Sequence, residues 1–210
     1  MRALIYPSQN KYFDRFMTIL KQINIERYNY AKTFVQTIDQ YNVCVAYLML
    51  CVLCNRVVGS IKRKANNKPY IDDVNISISH SDNMIAVVVS DYNVGIDCER
   101  IGNISNEVVK YTFSNTEKSC FNTDLSKAKI WTSKEALSKF LNEDFYSTPV
   151  TKFEIIDDKI MERNHQDLQF LMKEIKDNVV TICCNKEENV TFMKCDADYI
   201  LKQINNLFSR

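Results

Sequence analysis

The chain has 210 residues, 46% hydrophobic and 25% charged, with a formal net charge of +1. That length can hold one large domain or two small halves with a sizeable core. The near-zero charge argues against the broad basic field of a nucleic-acid binder. Only three glycines and three prolines occur, and neither a P-loop nor a dinucleotide-binding motif is present. Many of the eight cysteines sit inside apolar segments (Cys44, Cys51, Cys54, Cys183, Cys184), away from disulfide-scaffold spacings. Cys51 and Cys54 form a Cys-x-x-Cys with no second pair and no nearby His. Reduced, buried thiols are the expected state. With no apolar signal region in MRALIYPSQN, they predict a soluble, cytoplasmic protein.

In chain order, Ala3–Tyr6 reads as a short strand ending at Pro7. Helical patterns follow from about Tyr12 to Ile23 and from about Thr33 to Cys54. The second is apolar nearly all round after Asn42, as expected of a core helix, and its apolar run is too short to span a bilayer. A basic loop (Lys62, Arg63, Lys64) leads through Asn66-Asn67-Lys68-Pro69 to short strands at Tyr70-Ile71 and Asn75–Ser79. Met84–Ser90 is a continuous apolar run suited to a buried strand. Asp91-Tyr92-Asn93 has turn chemistry, so that strand is expected to form a hairpin with residues 94–99. Helices are predicted at 105–112, 115–122 and 125–141, a break at 142–149, strands at 150–156, 179–183 and 190–193, and a closing helix at 197–208. The order of elements suggests an α/β (α+β) pseudo-duplication. The halves are 1–93 and 94–210, with the joint near 90–97.

Four segments carry candidate chemistry. VGIDCERIG, residues 94–102, alternates as a strand: Val94, Ile96 and Cys98 on one face, Gly95, Asp97 and Glu99 on the other. Its two carboxylates lie about 6–7 Å apart along such a strand. They are either a solvated hairpin edge or hard ligands for a divalent cation. SISHSD (77–82) offers a His flanked by hydroxyls at a strand end, a structural residue or a phosphate contact. FSNTEK (113–118) places Ser114 and Glu117 at capping-box spacing. In WTSKEALSKF (131–140), Ala136, Leu137, Phe140 and Leu141 form an apolar helical stripe. Glu135 and Lys139 lie almost opposite it, either an exposed i,i+4 pair or a face turned into a cleft. In a cleft, Glu135 would add a third carboxylate, and Lys134 and Lys139 would meet phosphate.

Taken together, these segments resemble the larger, surfactin-synthetase-activating type of 4'-phosphopantetheinyl transferase. The resemblance rests on Gly95, Ile96, Asp97 and Glu99, then Trp131, Lys134, Glu135, Ala136 and Lys139. Lys68-Pro69, Ser79-His80-Ser81 and Phe113-Ser114 with Glu117 extend it, so the matched stretch runs from about 67 to 140. It implies a monomer of two similar halves, each a small antiparallel sheet packed with helices, with coenzyme A between them. The implied activity is that of a holo-[carrier protein] synthase. It would move phosphopantetheine from coenzyme A to a serine of an apo carrier protein, with Mg²⁺, and release 3',5'-ADP. Asp97, Glu99 and Glu135 are the implied metal ligands, and Glu135 and Lys139 the implied catalytic pair. Lys68, Pro69, Ser79, His80, Lys134 and Lys139 are the implied coenzyme A contacts. No nucleic acid or membrane partner is expected. The alternative is a non-catalytic module of the same fold that holds coenzyme A or a carrier protein. The chain departs from the family at Asn67, where Gly is common, and at Tyr41-Asn42, where a cation for the 3'-phosphate is common. Arg27, Lys32 and the Lys62–Lys64 cluster are the candidate replacements. The sequence does not name the carrier protein.

Overall fold

The computed structural model describes residues 1–8, 10–63, 68–143, 153–156 and 159–208. The first half runs β1 (Arg2–Pro7), α1 (Phe13–Ile23), α2 (Ile25–Lys32), α3 (Thr37–Cys54), β2 (Lys62–Arg63), β3 (Pro69–Tyr70), β4 (Asn75–Ser81) and β5 (Met84–Ser90). Next come β6 (Gly95–Arg100), α4 (Asn106–Thr112), α5 (Asn115–Cys120) and α6 (Asp124–Leu141). The chain closes with β7 (Phe153–Ile156), β8 (Lys159–Glu162), β9 (Leu168–Ile175), β10 (Asn178–Asn185), β11 (Thr191–Lys194) and α7 (Ala197–Phe208). Residues Lys64, Asn66, Asn67 and 144–152 lie outside the described set. So do the Asn66-Asn67 pair ahead of Lys68-Pro69, most of the expected break after α6 and the first residues of the strand expected at 150–156.

Two sheets organise the mixed α/β fold: β11-β1-β5-β4 and β6-β10-β9. β5 is buried along its whole length because strands flank both its edges and side chains cover both its faces. That corrects the expected hairpin between residues 84–90 and 94–99. Both ladder edges of β5 are taken by β1 and β4, so β6 turns away and pairs antiparallel with β10. The sheets then pack face to face. Ala3, Ile5, Ala86 and Val88 of one meet Val94, Ile96, Cys98 and Ile182 of the other.

Each sheet covers its outer face with helix. α3 is long and apolar enough to cross a membrane by composition alone, but two-thirds of that window (67%) is buried. It joins α1, β1, β5 and α7 in one apolar cluster, so it is the core helix that its pattern predicts. It ends at Asn55, which takes the left-handed conformation (φ 53°) common at helix ends. α6 starts at a capping box of Thr123 and Ser126 and ends at a left-handed Asn142 (φ 58°). It packs on β6 and β10.

The closing segment does not stay with residues 94–190. β11 adds to β1 in parallel, pairing Arg2 with Thr191 through Ile5 with Lys194. Ile200, Leu201 and Ile204 of α7 enter the first half's core. A division at 93/94 is therefore crossed by the chain's return, and the first sheet gains one parallel strand in an otherwise antiparallel arrangement.

Candidate active site

The strand pattern at residues 94–99 decides what β6 presents. Val94, Ile96 and Cys98 are buried between the sheets, so Gly95, Asp97 and Glu99 face α6. Gly95 sets how close that helix comes. A methyl group there would lie 1.8 Å from the Ala136 carbonyl oxygen and 2.7 Å from the Phe140 nitrogen. Only a residue without a side chain allows this approach. Deeper in the same interface the hydroxyls of Thr132 on α6 and Thr181 on β10 meet at 2.6 Å.

Asp97 is 5% exposed and lies at the centre of the arrangement. Its Oδ1 accepts a hydrogen bond from the Ser79 hydroxyl at 2.7 Å and another from the Lys139 ammonium at 2.7 Å. Lys139 also donates to the Ile96 carbonyl at 3.1 Å. Burial lowers the pKa of this ammonium, and the Asp97 carboxylate more than offsets that, so the net shift is upward. Asp97 Oδ2 is buried with no hydrogen-bond partner. Glu99, at the rim, accepts from the Arg100 amide at 2.8 Å and the Asn103 side chain at 3.2 Å. Burial raises its pKa against those bonds, and the charges of Asp97 and Asp82 add to the rise. Glu135 lies one turn before Lys139, half-buried, and its charge acts on the Lys139 ammonium.

The first half reaches into this cleft at three points. The Ser77 hydroxyl accepts from the Ile96 amide at 3.0 Å, Ser79 binds Asp97, and Lys68 donates to the carbonyls of Val94 (3.2 Å) and Lys139. Lys68 therefore bridges the joint and the last turn of α6, where carbonyls lack helical partners.

Beside the cleft, Arg27, Tyr30, Asn42, Arg63, Pro69 and His80 line a cavity of about 640 Å³. The Arg27 guanidinium lies over the Tyr30 ring, 4.6 Å from its centroid. Arg63 stands 5.8 Å from the same ring and donates to its hydroxyl at 2.9 Å. Arg27 Nε is buried without a hydrogen-bond partner. Burial and the nearby Arg63 charge lower its pKa, although Tyr30 opposes the shift. Two guanidiniums stacked about one ring suit an anion. Of the cations named as replacements for the missing one at Asn42, Arg27 and Arg63 converge here. Lys32 is held by Gln40 at 3.0 Å, and Lys62 by Asp72 at 2.7 Å. Asn42 is buried, with its Oδ1 unpartnered. His80 is solvent-accessible, yet the protein around it and the Lys139 charge lower its pKa.

Two expected coenzyme A contacts lie elsewhere. Lys134 is a correction. Its side chain is 4% exposed, and its ammonium pairs at 3.0 Å with Glu117, which is 0% exposed. The apolar stripe of α6 faces inward at this turn and carries Lys134 with it, away from the cleft. Burial lowers its pKa, and Glu117 opposes that. Ser79 is the second: it is turned inward to Asp97, which leaves His80, next along β4, on the cavity side. The capping box expected of Ser114 and Glu117 is present, with Ser114 N–H to Glu117 Oε2 at 2.7 Å. Tyr30 was not foreseen. Its neighbours Arg27 and Lys32 gave a charge signal, but nothing in the sequence shows that Arg63 closes on the same ring.

A family model for the 4'-phosphopantetheinyl transferase superfamily matches residues 93–192. A curated relative, 4'-phosphopantetheinyl transferase gsp from Aneurinibacillus migulanus, is 29% identical over 153 residues, covering 70% of this chain. Residues 93–192 of this chain thus carry the pattern of that superfamily, and the chain is similar to one of its curated members. It spans 60% of that relative's length. The superfamily match begins just before β6 and takes in α6, so it holds Asp97, Glu99, Glu135 and Lys139. The phosphate-suited cavity, with Arg27, Arg63 and His80, lies before it in the chain.

The donor set can be tested against a divalent cation. Among the described residues, no three His, Cys, Asp or Glu side chains form a ready ligand group. Asp97 nevertheless keeps a buried carboxylate oxygen without a partner, beside a second carboxylate at Glu99. Mg²⁺ is commonly held by one or two carboxylates plus substrate phosphates and water. Asp97 and Glu99 fit that demand, and Glu135, whose charge reaches Lys139, is a further carboxylate on α6.

Proposed function

We propose that this chain transfers the 4'-phosphopantetheine group from coenzyme A to a serine of an apo carrier protein, with Mg²⁺, releasing 3',5'-ADP. One observation carries the reading. The strand and helix inside the superfamily match supply Asp97 and Lys139 in contact, directly beside a cavity lined by Arg27, Arg63 and His80. Phosphoryl transfer needs mainly positioning, charge neutralisation and a base for the incoming hydroxyl.

In this reading the two guanidiniums bind the nucleotide phosphates, and His80 faces the same anion. Asp97 and Glu99, with Glu135 on α6, would hold Mg²⁺, which would supply positive charge at the pyrophosphate. Lys139 and Lys68 neutralise the oxygen that leaves with the nucleotide. Both ammonium groups rest on protein acceptors in the free chain, which keeps them placed until a more anionic partner arrives. Glu135 takes the proton of the carrier serine, directly or through water, because a serine hydroxyl is too weak an acid to attack unaided. The eight free thiols support a reducing, cytoplasmic setting.

Intact-mass spectrometry of apo carrier proteins incubated with the chain, coenzyme A and Mg²⁺ tests the proposal. A phosphopantetheine mass gain is expected. It should vanish for Glu135→Ala and Asp97→Ala while both variants stay folded. No gain across acyl, peptidyl and polyketide carriers refutes it. A second reading, a coenzyme A-binding module without transfer, is motivated by the buried Asn42, which stands where a cation for the 3'-phosphate is common. Calorimetry separates the two, since binding that ignores Mg²⁺ supports the module.

A further inference from the structure

Glu117 gathers three segments on one buried carboxylate. Its Oε2 accepts the Ser114 amide at 2.7 Å, in the cap of α5, and the Lys134 ammonium of α6 at 3.0 Å. Its Oε1 accepts the Phe153 amide at 3.0 Å, where β7 begins. The Lys134 ammonium also stands 5.8 Å from the Phe113 ring centroid and 5.6 Å from that of Phe153. Glu162 on β8 is 1% exposed and adds a second negative charge acting on Lys134. It is itself bonded to His165 at 2.6 Å.

Stability alone does not account for so much buried charge. Removing both ions of such a pair from water is costly, and well-packed apolar residues often do as well or better. What the ions add is direction. A guanidinium or ammonium held by a carboxylate with further fixed donors has one setting, whereas a leucine at the same position tolerates several. Successive helix residues are about 100° apart, as 3.6 residues per turn requires. Fixing Lys134 inward therefore fixes Glu135 on the adjoining, half-buried face, with Lys139 one turn further along it.

We propose that the buried Glu117–Lys134 pair is a positioning device that locks the rotation of α6 so that Glu135 and Lys139 face the cleft. Glu117 and Lys134 touch neither substrate nor metal in this role. The proposal rests on the transferase reading above.

The test uses the full chain and three variants: Lys134→Met, Lys134→Arg, and Glu117→Gln with Lys134→Met. Melting temperature, coenzyme A affinity by calorimetry, and kcat for phosphopantetheine transfer are measured for each, kcat well below the lowest melting point. The double variant leaves neither ion buried alone, so it should melt close to the parent and bind coenzyme A equally well. Its kcat should nevertheless fall at least about tenfold, since misplacement by about 1 Å can cost about a hundredfold. Lys134→Arg keeps the cation and should restore kcat to within about threefold of the parent. A folded double variant with parental kcat overturns the proposal and leaves the pair a structural strut. Coenzyme A binding weakened about tenfold by Lys134→Met at unchanged kcat also overturns it, because Lys134 would then contact phosphate. If the double variant fails to fold, Lys134→Arg decides: parental affinity with near-parental kcat supports the proposal, and tenfold weaker coenzyme A binding refutes it. A parent chain that binds coenzyme A without transfer refutes the transferase reading and the positioning role together. A transferring parent beside an equally active double variant refutes the positioning role alone.

Discussion

Gly95→Ala tests whether the contact between β6 and α6 sets the cleft geometry. The added methyl would sit 1.8 Å from the Ala136 carbonyl oxygen, about 1.6 Å short of the 3.4 Å at which ordinary contact begins. The next obstacle, the Phe140 nitrogen at 2.7 Å, is also main chain. No rotamer change relieves either clash, so α6 must lift from β6 or the strand must bend. Overpacking of this kind costs about 1–3 kcal/mol, and rigid obstacles place it at the upper end. At about 2–4 °C per kcal/mol for a chain of this size, Tm should fall by roughly 6–12 °C. The lift would also stretch the Lys139 contacts to Asp97 (2.7 Å) and Ile96 (3.1 Å), and transfer should drop about a hundredfold at temperatures where the variant is folded. Gly59→Ala is the control: an added methyl there meets nothing within 4 Å, and Tm should be unchanged or slightly higher. Thermal denaturation by circular dichroism and the mass-gain assay read both effects. A Gly95→Ala variant that melts within about 2 °C of the parent and transfers normally refutes the reasoning.

Further outcomes follow from the cavity and the thiols. Arg27→Ala and Arg63→Ala should each weaken coenzyme A binding about 10–100-fold by calorimetry, because a hydrogen bond to a charged group is worth about 1.5–3 kcal/mol. Removal of the 3'-phosphate from the ligand should erase much of the difference between parent and variants, and parental affinity in both variants removes the cavity from the nucleotide site. His80, though solvent-accessible, has a folded pKa below its ordinary value of 6.5, from desolvation by the protein packed around it first and the Lys139 charge second. The unfolded chain therefore binds this proton more readily, so the His80 contribution to stability is intact above about pH 6.5 and is lost as pH falls below it. An anionic ligand in the cavity should reverse that shift and draw a proton onto His80 near pH 6. Binding heats would then depend on the ionisation enthalpy of the buffer, and His80→Gln should abolish the dependence. Equal heats in all buffers for the parent refute it. Of the eight cysteines, six are buried, Cys54 is half-buried and Cys120 is exposed. A thiol reagent should label Cys120 rapidly in the folded chain, Cys54 more slowly and the six buried thiols only on unfolding; fast labelling of Cys183 or Cys184 contradicts the packing.

Local rules made much of this legible. The alternation in residues 94–99 gave the inner and outer faces of β6, because a strand has only two sides and one is apolar. The apolar pattern of residues 33–54 and 125–141 gave α3 and α6 to within a turn, and the spacing of Ser114 and Glu117 gave a real capping box. What the pattern did not carry is non-local. Met84–Ser90 reads as the partner of residues 94–99, and only the occupation of both its edges by β1 and β4 decides against that pairing. β11 pairs with β1 across nearly the whole chain, which no window of sequence records. α2 was missed because IERYNYAK has little apolar stripe; its pattern is interrupted by charge on every face. Lys134 misled for a different reason. A lysine beside a candidate glutamate on a helix looks exposed, and its burial becomes visible only when Glu117 is found opposite it.

The cleft draws on both halves, and that constrains how it can respond to a ligand. Asp97 belongs to β6, but its carboxylate is fixed by Ser79 from β4 and by Lys139 from α6. Lys68, from the start of the first half's β3 ribbon, holds the carbonyls of Val94 and Lys139 across the joint. Arg27, Arg63 and His80 lie entirely in the first half, and Glu99 and Glu135 entirely in the second. A ligand spanning cavity and cleft therefore engages both at once, and any shift of one half against the other changes the spacing between the guanidiniums and the carboxylates. The closing strand and helix oppose such a shift. β11 pairs with β1 while the segment before it leaves β10, so the second sheet is tethered at the edge of the first. The apolar layer between the sheets adds a second restraint, since separating them exposes Val88, Ile96 and Ile182, at about 1.5–3 kcal/mol for each fully buried aliphatic side chain. These restraints leave side-chain exchange, rather than movement of the halves, as the low-cost response: Lys68 can leave its carbonyls and Lys139 its carboxylate without disturbing either sheet.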